Sequence, residues 1–344
     1  MKRTTRLILL LIGATLVALM IWKTGPGVLL AGLRSSAWVV AVLLPLWAVV
    51  YILNAVAWRM LTSAGGKPLP LAQAFRITLI AFAVNYATPL MSFGGEPLKV
   101  IAATPWLGHR RAVGSVVAFR LLHALAHVIG FLVALIPAYL LLPRTPLVLG
   151  LIVAVGALQV LLAVFLLSRH REGMAIQLLH LVRRIPFLRR PAQKLEERTP
   201  ALHEIDEHLT AVYTRAPRRF YGALGVETLA RFLTLSEHWI ILYGLGLGTD
   251  PWRALVIGSF SSLVINALSF LPLELGSKEG GLYLIFKWMG FGPGLGLQAS
   301  LLGRIRELIT IGIGMGLIWT VRDVTTAASP IPSGPPHDRA PPPA

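Results

Sequence analysis

Stretches of roughly 20 apolar residues recur along this chain, and each is long enough to cross a hydrocarbon core about 30 Å thick. They cover residues 7–22, 36–57, 71–90, 113–142, 146–168, 220–246, 254–273 and 297–320. Water-soluble domains carry about a quarter charged residues, whereas this chain of 344 residues is 14% charged and 55% hydrophobic. Soluble fold classes are excluded. The expected class is an all-α polytopic membrane protein, because a helix satisfies its own backbone polar groups where no water can.

The charges that remain are mostly positive: 32 Lys and Arg against 15 Asp and Glu, a net +17. In so apolar a chain they belong at helix ends and in loops, where their partner is an anionic membrane surface and not nucleic acid. The chain has no Cys, which removes disulfides, thiol catalysis and Cys-ligated metal centres together.

Lys2, Arg3 and Arg6 precede the first apolar run, and Ile21-Trp22-Lys23 stands where a signal peptide would carry small residues. An uncleaved first span is expected. The longest polar stretch, residues 169–219, holds eleven Lys or Arg beside six acids and reads as a cytoplasmic basic loop. Residues 323–344 form a Pro-rich tail with no apolar periodicity, expected to be disordered.

The positive-inside rule places the N-terminus, the Arg59 to Lys67 loop, the Lys99 to Arg111 loop and the 169–219 loop in the cytoplasm. A complete crossing by residues 71–90 would put Lys99, Arg110 and Arg111 outside, so this segment is expected to enter and turn back near Pro89 to Glu96. The C-terminal half repeats the device. Pro89-Leu-Met-Ser-Phe-Gly-Gly-Glu96 and Pro272-Leu-Glu-Leu-Gly-Ser-Lys-Glu279 both carry Pro-Leu, then glycine, then Glu at the same distance, each after an Asn, Asn85 or Asn266. An Arg follows each Glu at a matching distance, Arg120 after Glu96 and Arg304 after Glu279. The expected architecture is therefore about six full spans plus two re-entrant helical hairpins arranged as an inverted-topology repeat, which in transporters places the substrate site near the midplane. One membrane domain covers residues 1–322, with repeat one at about 35–142 and repeat two at about 220–322.

These residues resemble the integral membrane domain of lysylphosphatidylglycerol synthases, a flippase-like family. The resemblance covers roughly residues 7–322 and rests on Asn85, Pro89, Gly94-Gly95-Glu96, Arg120, Pro272 and Gly276-Ser277-Lys278-Glu279. Where the family's first motif has an Arg shortly after its Glu, this chain has Lys99; where the second has more glycine, it has Glu274 and Lys278. The resemblance implies translocation or handling of a lipid, with relatives linked to aminoacylated phosphatidylglycerol, hopanoids and polyprenyl-linked sugars. No polar segment exceeds about 50 residues, so an aminoacyl-transfer domain is not expected.

Ionisable groups inside spans cost several kcal/mol unless paired or facing water. Glu96 and Glu279 at the hairpin tips suit binding of a head group, proton coupling, or capping of their own broken helices. Arg120 and Arg304 lie five to seven residues into their expected helices, about 10 Å deep at 1.5 Å per residue. Each suits either a lipid phosphate or an ion pair with a hairpin glutamate. Glu227 and Arg231 share a helix face four residues apart and are expected to pair, Glu237 and His238 lie closer to the outer surface, and Arg306 and Glu307 extend the Arg304 cluster. His123 and His127 have metal-ligand spacing but no third ligand beside them in sequence. No Walker motif or dinucleotide fingerprint occurs, and no cofactor is expected.

The reading is a multi-pass inner-membrane protein, both termini cytoplasmic, that flips a phospholipid or lipid-linked head group. Its expected substrate-binding residues are Asn85, Gly94, Gly95, Glu96, Lys99, Arg120, Glu227, Arg231, Asn266, Gly276, Lys278, Glu279 and Arg304. Its partners are anionic phospholipids or polyprenyl- or hopanoid-type lipids, with a homodimer or a lipid-modifying enzyme partner left open. The alternatives are a membrane enzyme acting on a lipid phosphate or lipid-linked sugar, and a non-catalytic partner of such an enzyme.

Overall fold

The structure is a computed structural model and describes residues 25–63, 66–87, 94–168, 217–269 and 271–327, with isolated positions at 15, 18, 19, 21 and 22. Pro89, most of the expected first span, nearly all of the basic loop and the tail beyond 327 lie outside the described residues. Every described element is helical: α1 (Pro26–Ser35), α2 (Ala37–Thr62), α3 (Leu71–Ala87), α4 (Gly95–Leu107), α5 (His109–Leu141), α6 (Pro146–Ser168), α7 (Pro217–Gly244), α8 (Pro251–Ala267), a 3-10 turn (Pro272–Glu274), α9 (Ser277–Trp288) and α10 (Pro293–Ala327). Three helices are long and apolar enough to cross a membrane by length and composition: α2, α5 and α6.

Local chemistry explains the boundaries. Asp250 caps α8 by accepting from the amides of Trp252 at 2.9 Å and Arg253 at 3.3 Å, with Pro251 at the first helical position. Gly108, at φ 76°, separates α4 from α5. This is a correction: the expected Lys99 to Arg111 loop is helical apart from that glycine, so α4 and α5 form a tight corner. The helix α10 also runs to Ala327, five residues into the expected tail.

Two series of four helices, α2-α3-α4-α5 and α7-α8-α9-α10, occupy the residues of the two expected repeats. In each, two short helices flank a break. At 1.5 Å per residue α3 and α8 are about 26 Å long, α4 about 20 Å and α9 about 18 Å, all short of a 30 Å core. In the second break Leu273 and Glu274 hold positive φ of 56° and 54°, which costs non-glycine residues of order 1–3 kcal/mol each and needs surrounding contacts to hold it.

The apolar interior forms two cores. One gathers Trp58 and Leu61 of α2, Ile77 of α3, Phe119 and Leu122 of α5 and Phe220 of α7. The other gathers Val39 and Leu43 of α2, Ile241 and Leu242 of α7, Ile257 of α8 and Phe286 of α9. Along α2 and α7 the polar residues lie between these cores, Trp47 to Asn54 on one and Glu227 to Glu237 on the other. A polar belt therefore crosses the middle of the bundle, where α2 and α7 pack side by side.

Candidate functional site

The first break is closed by Asn85 at the end of α3, whose Oδ1 accepts from the Gly95 amide at 2.6 Å. Only glycine fits at position 95, because a Cβ there would sit 2.2 Å from the Ala81 carbonyl oxygen of α3. This contact aims Glu96 at α5, where its Oε1 lies 3.0 Å from Arg120 Nε. Lys99 stands 4.0 Å from the other carboxylate oxygen and turns its ammonium onto the Phe119 ring, 4.5 Å from the centroid.

The second break forms the equivalent ion pair but a different cap. Glu279 Oε1 meets Arg304 Nη2 at 2.6 Å, while its Oε2 accepts from the Gly276 amide at 2.9 Å. Asn266 does not repeat the role of Asn85: its amide lies 3.5 Å from Ser262 Oγ and faces a cavity. Arg120 and Arg304 each stand eleven residues into helices that begin at His109 and Pro293, hence about 16 Å along at 1.5 Å per residue. The expected five to seven residues into each helix become eleven because the helices start earlier than the apolar runs.

Around Arg304 the charges are closed. Glu307 Oε1 takes Lys278 Nζ at 2.5 Å and Arg306 Nη2 at 3.4 Å, and its Oε2 accepts from Tyr86 Oη at 2.9 Å. Arg304 also donates to Tyr86 Oη and to the Leu273 carbonyl at 2.8 Å. Arg306 holds both oxygens of Glu237 at 3.1 Å and stacks on Trp47, its Cζ 3.7 Å from the ring centroid; Trp47 Nε1 donates to Glu237 at 2.8 Å. Glu237 is thus buried in the network around Arg304 and Arg306.

The centre is different. Glu227 does not pair with Arg231; its oxygens accept from Asn54 Nδ2 at 2.9 and 3.0 Å and face His123 Nδ1 at 2.5 Å. The cross-helix partners on α2 and α5 outcompete the neighbour one turn away. Arg231 is 6% exposed and lies against Gly130 and the Phe131 ring of α5. Among the described residues its Nε and Nη2 are buried without a hydrogen-bond partner. A cavity of about 560 Å³ opens between α5, α6 and α8, its polar lining made by Arg120, His123, His127, Gln159 and Asn266 among apolar side chains.

Of the expected site residues, Asn85, Gly95, Glu96 and Arg120 come together at one break, and Gly276, Lys278, Glu279 and Arg304 at the other. Gly94 precedes α4, and Glu227, Arg231 and Asn266 lie at the centre or beside the cavity. Sequence reasoning missed Trp47, Asn54, Tyr86 and Gln159. Aromatics in apolar runs give no signal, but Asn54 and Gln159 are lone amides within such runs and were open to detection.

The family described as the lysylphosphatidylglycerol synthase TM region matches residues 6–314. A UPF0104 membrane protein from Methanothermobacter thermautotrophicus (strain Delta H) is 24% identical over 308 residues, covering 87% of this chain and 90% of that protein. No solved structure matches. The match extends over both breaks, the polar belt and the cavity, and the chain belongs to the lysylphosphatidylglycerol synthase transmembrane-region family.

Proposed function

We propose that this protein translocates the head group of a phospholipid or lipid-linked sugar across the inner membrane, through a polar path between two re-entrant hairpins in inverted orientation. The single observation that carries the reading is the paired construction. Two helix breaks each present a glutamate to an arginine at the same depth of the following long helix, 3.0 Å apart in one repeat and 2.6 Å in the other. Broken backbone at membrane depth is tolerated where it is buried in protein or lines a polar cavity, and an open cavity that includes Arg120, His123, His127, Gln159 and Asn266 in its lining adjoins the first pair. The short lengths of α3, α4, α8 and α9 suit hairpins that enter and return on one side. With the positive-inside assignment, both termini lie in the cytoplasm.

The test is scrambling of headgroup-labelled lipid in liposomes containing the purified protein, comparing wild type with Glu96→Gln, Glu279→Gln and Arg120→Ala. Scrambling by wild type and its loss in variants that elute as folded monodisperse protein are expected. If folded wild type moves none of phosphatidylglycerol, aminoacylated phosphatidylglycerol or polyprenyl phosphate, the translocation reading fails.

A further inference from the structure

We infer that α6 is a hinged gate: it swings about its short connection to α5, and in its closed position it packs along α8 and joins Gln159 to Asn266. The inference rests on the translocation reading for what the gate admits, though not for the movement itself.

Packing is the first argument. Among the described helices α6 packs extensively against α5 alone. Its outward side, with Val153, Leu161 and Val164, is open as a lipid-facing side is. On the side toward α8, Leu151 and Leu158 are also 43% and 57% exposed, because cavities separate the two helices where side chains would otherwise meet.

The second argument is register. Val148, Leu151, Val155 and Leu158 recur at the alternating spacing of three and four residues that makes a helix-packing seam, and Val256, Ser259, Leu263 and Asn266 of α8 recur at the same spacing. The first three of each stripe line one cavity together, and Leu158, Leu263 and Asn266 line the larger one. The stripes therefore face each other in matching order along helices that run the same way, poised for side chains of one to enter the gaps of the other.

The gap between them is a wedge. The cavity nearer the start of α6 holds about 110 Å³ and the one farther along about 560 Å³. On α8 burial falls in the same direction, from Val256 and Ser259, both buried, to Asn266, which is exposed. Leu162 lies about 24 Å along α6 at 1.5 Å per residue. A wedge that is narrow at one end is the shape left by a stiff helix turned about that end. The pivot is the four-residue connection from Leu142 to Thr145, where Leu142 is extended and Thr145 Oγ1 accepts from the Val148 amide at 3.3 Å, so that α6 starts as a capped rod.

The latch is the third argument. Gln159 is the one polar side chain in residues 146–167, and it lines the larger cavity from α6 while Asn266 lines it from α8. An amide in an apolar membrane helix gains from a hydrogen bond to a neighbouring helix. Gln159 follows Leu158, the counterpart of Asn266, so closing the wedge brings the two amides level, and each offers both donors and an acceptor. In the open position Asn266 Nδ2 has only a long contact to Ser262 Oγ, at 3.5 Å. Arg120, His123 and His127 line the same cavity, and closure shuts them off from the bilayer.

The test uses the full chain in nanodiscs, where the absence of native Cys leaves only introduced thiols. A disulfide between Leu162→Cys and Ala267→Cys needs α carbons within about 7 Å, and Leu161→Cys with Ala267→Cys is the outward-facing control. Under copper-phenanthroline oxidation the first pair should close at least tenfold faster than the control, counted as thiols lost to maleimide labelling. Adding Gln159→Leu, which keeps α6 apolar and so spares the fold, should slow closure at least threefold. No cross-link in folded protein whose thiols both take maleimide, or equal rates for the two pairs, overturns the gate; a rate unchanged by Gln159→Leu overturns the latch. Scrambling of headgroup-labelled lipid should stop in the oxidised pair and return on reduction. Undiminished scrambling by fully cross-linked protein overturns the gating role. No scrambling before oxidation sinks the translocation reading alone, and the cross-linking rates still decide the movement.

Discussion

Arg306 makes the second-repeat network testable as an energetic unit. Its side chain is 1% exposed, it holds both oxygens of Glu237 at 3.1 Å, and Glu237 is itself 5% exposed with Trp47 as its other donor. Arg306→Met keeps the approximate length of the side chain and removes the charge, so Glu237 is left buried with one neutral hydrogen bond. Removing one partner of a buried pair costs about 3–5 kcal/mol, because the survivor's desolvation is no longer compensated. At roughly 2 °C per kcal/mol for a chain of this size, melting should fall by about 6–10 °C. Adding Glu237→Gln removes the stranded charge, and the double variant should recover more than half of the loss, since apolar or neutral replacement of a whole pair is often nearly neutral. The assay is thermal denaturation in detergent followed by size-exclusion, run on both single variants and the double as a cycle. Additive losses, with the double variant worse than either single one, would refute the reasoning and reassign the stability to packing on Trp47 alone.

Gly95→Ala should lower stability by about 1–3 kcal/mol through overpacking, because its Cβ would meet the Ala81 carbonyl at 2.2 Å, whereas Gly280→Ala, with nothing within 4 Å, should be neutral or stabilising; thermal melts of the two variants check this. Asn85→Ala should cost about 1 kcal/mol by removing the acceptor for the Gly95 amide, read in the same melts. Single cysteines at Thr104 and Gly292, in a chain with no native Cys, should react with an impermeant maleimide from opposite sides of the membrane. Labelling from one side only would refute the inverted arrangement.

The helical class was legible because apolar runs near the length of a bilayer leave little else to form. The spacing of Glu96 to Arg120 and Glu279 to Arg304 marked four residues that the structure brings together as two ion pairs, although the sequence left a lipid phosphate as the other partner for each arginine. Contacts between distant elements were not legible. Nothing near Glu227 in sequence points to Asn54 or His123, and the one-turn rule that favoured Arg231 describes an isolated helix, not one packed against two others. The tight corner at Gly108 was hidden for a related reason: Lys99 and Arg111 suggest a loop, but Lys99 is buried against Phe119 and Trp58, so its charge marks an interior contact. Glu307 reads in sequence as a neighbour of Arg306 and becomes the hub of the network only when Lys278 and Tyr86 arrive from other helices.

Tyr86 belongs to the first repeat by sequence, yet its hydroxyl is held by Glu307 and Arg304 of the second. The same helix meets α10 again where a Cβ on Gly314 would approach the Leu79 carbonyl to 2.7 Å. Mechanically, then, the seam of the molecule does not run between the two halves of the chain. Pulling residues 37–141 away from 217–327 as blocks would tear α3 from α10. A movement that preserves these contacts carries α3 with α9 and α10 as one body.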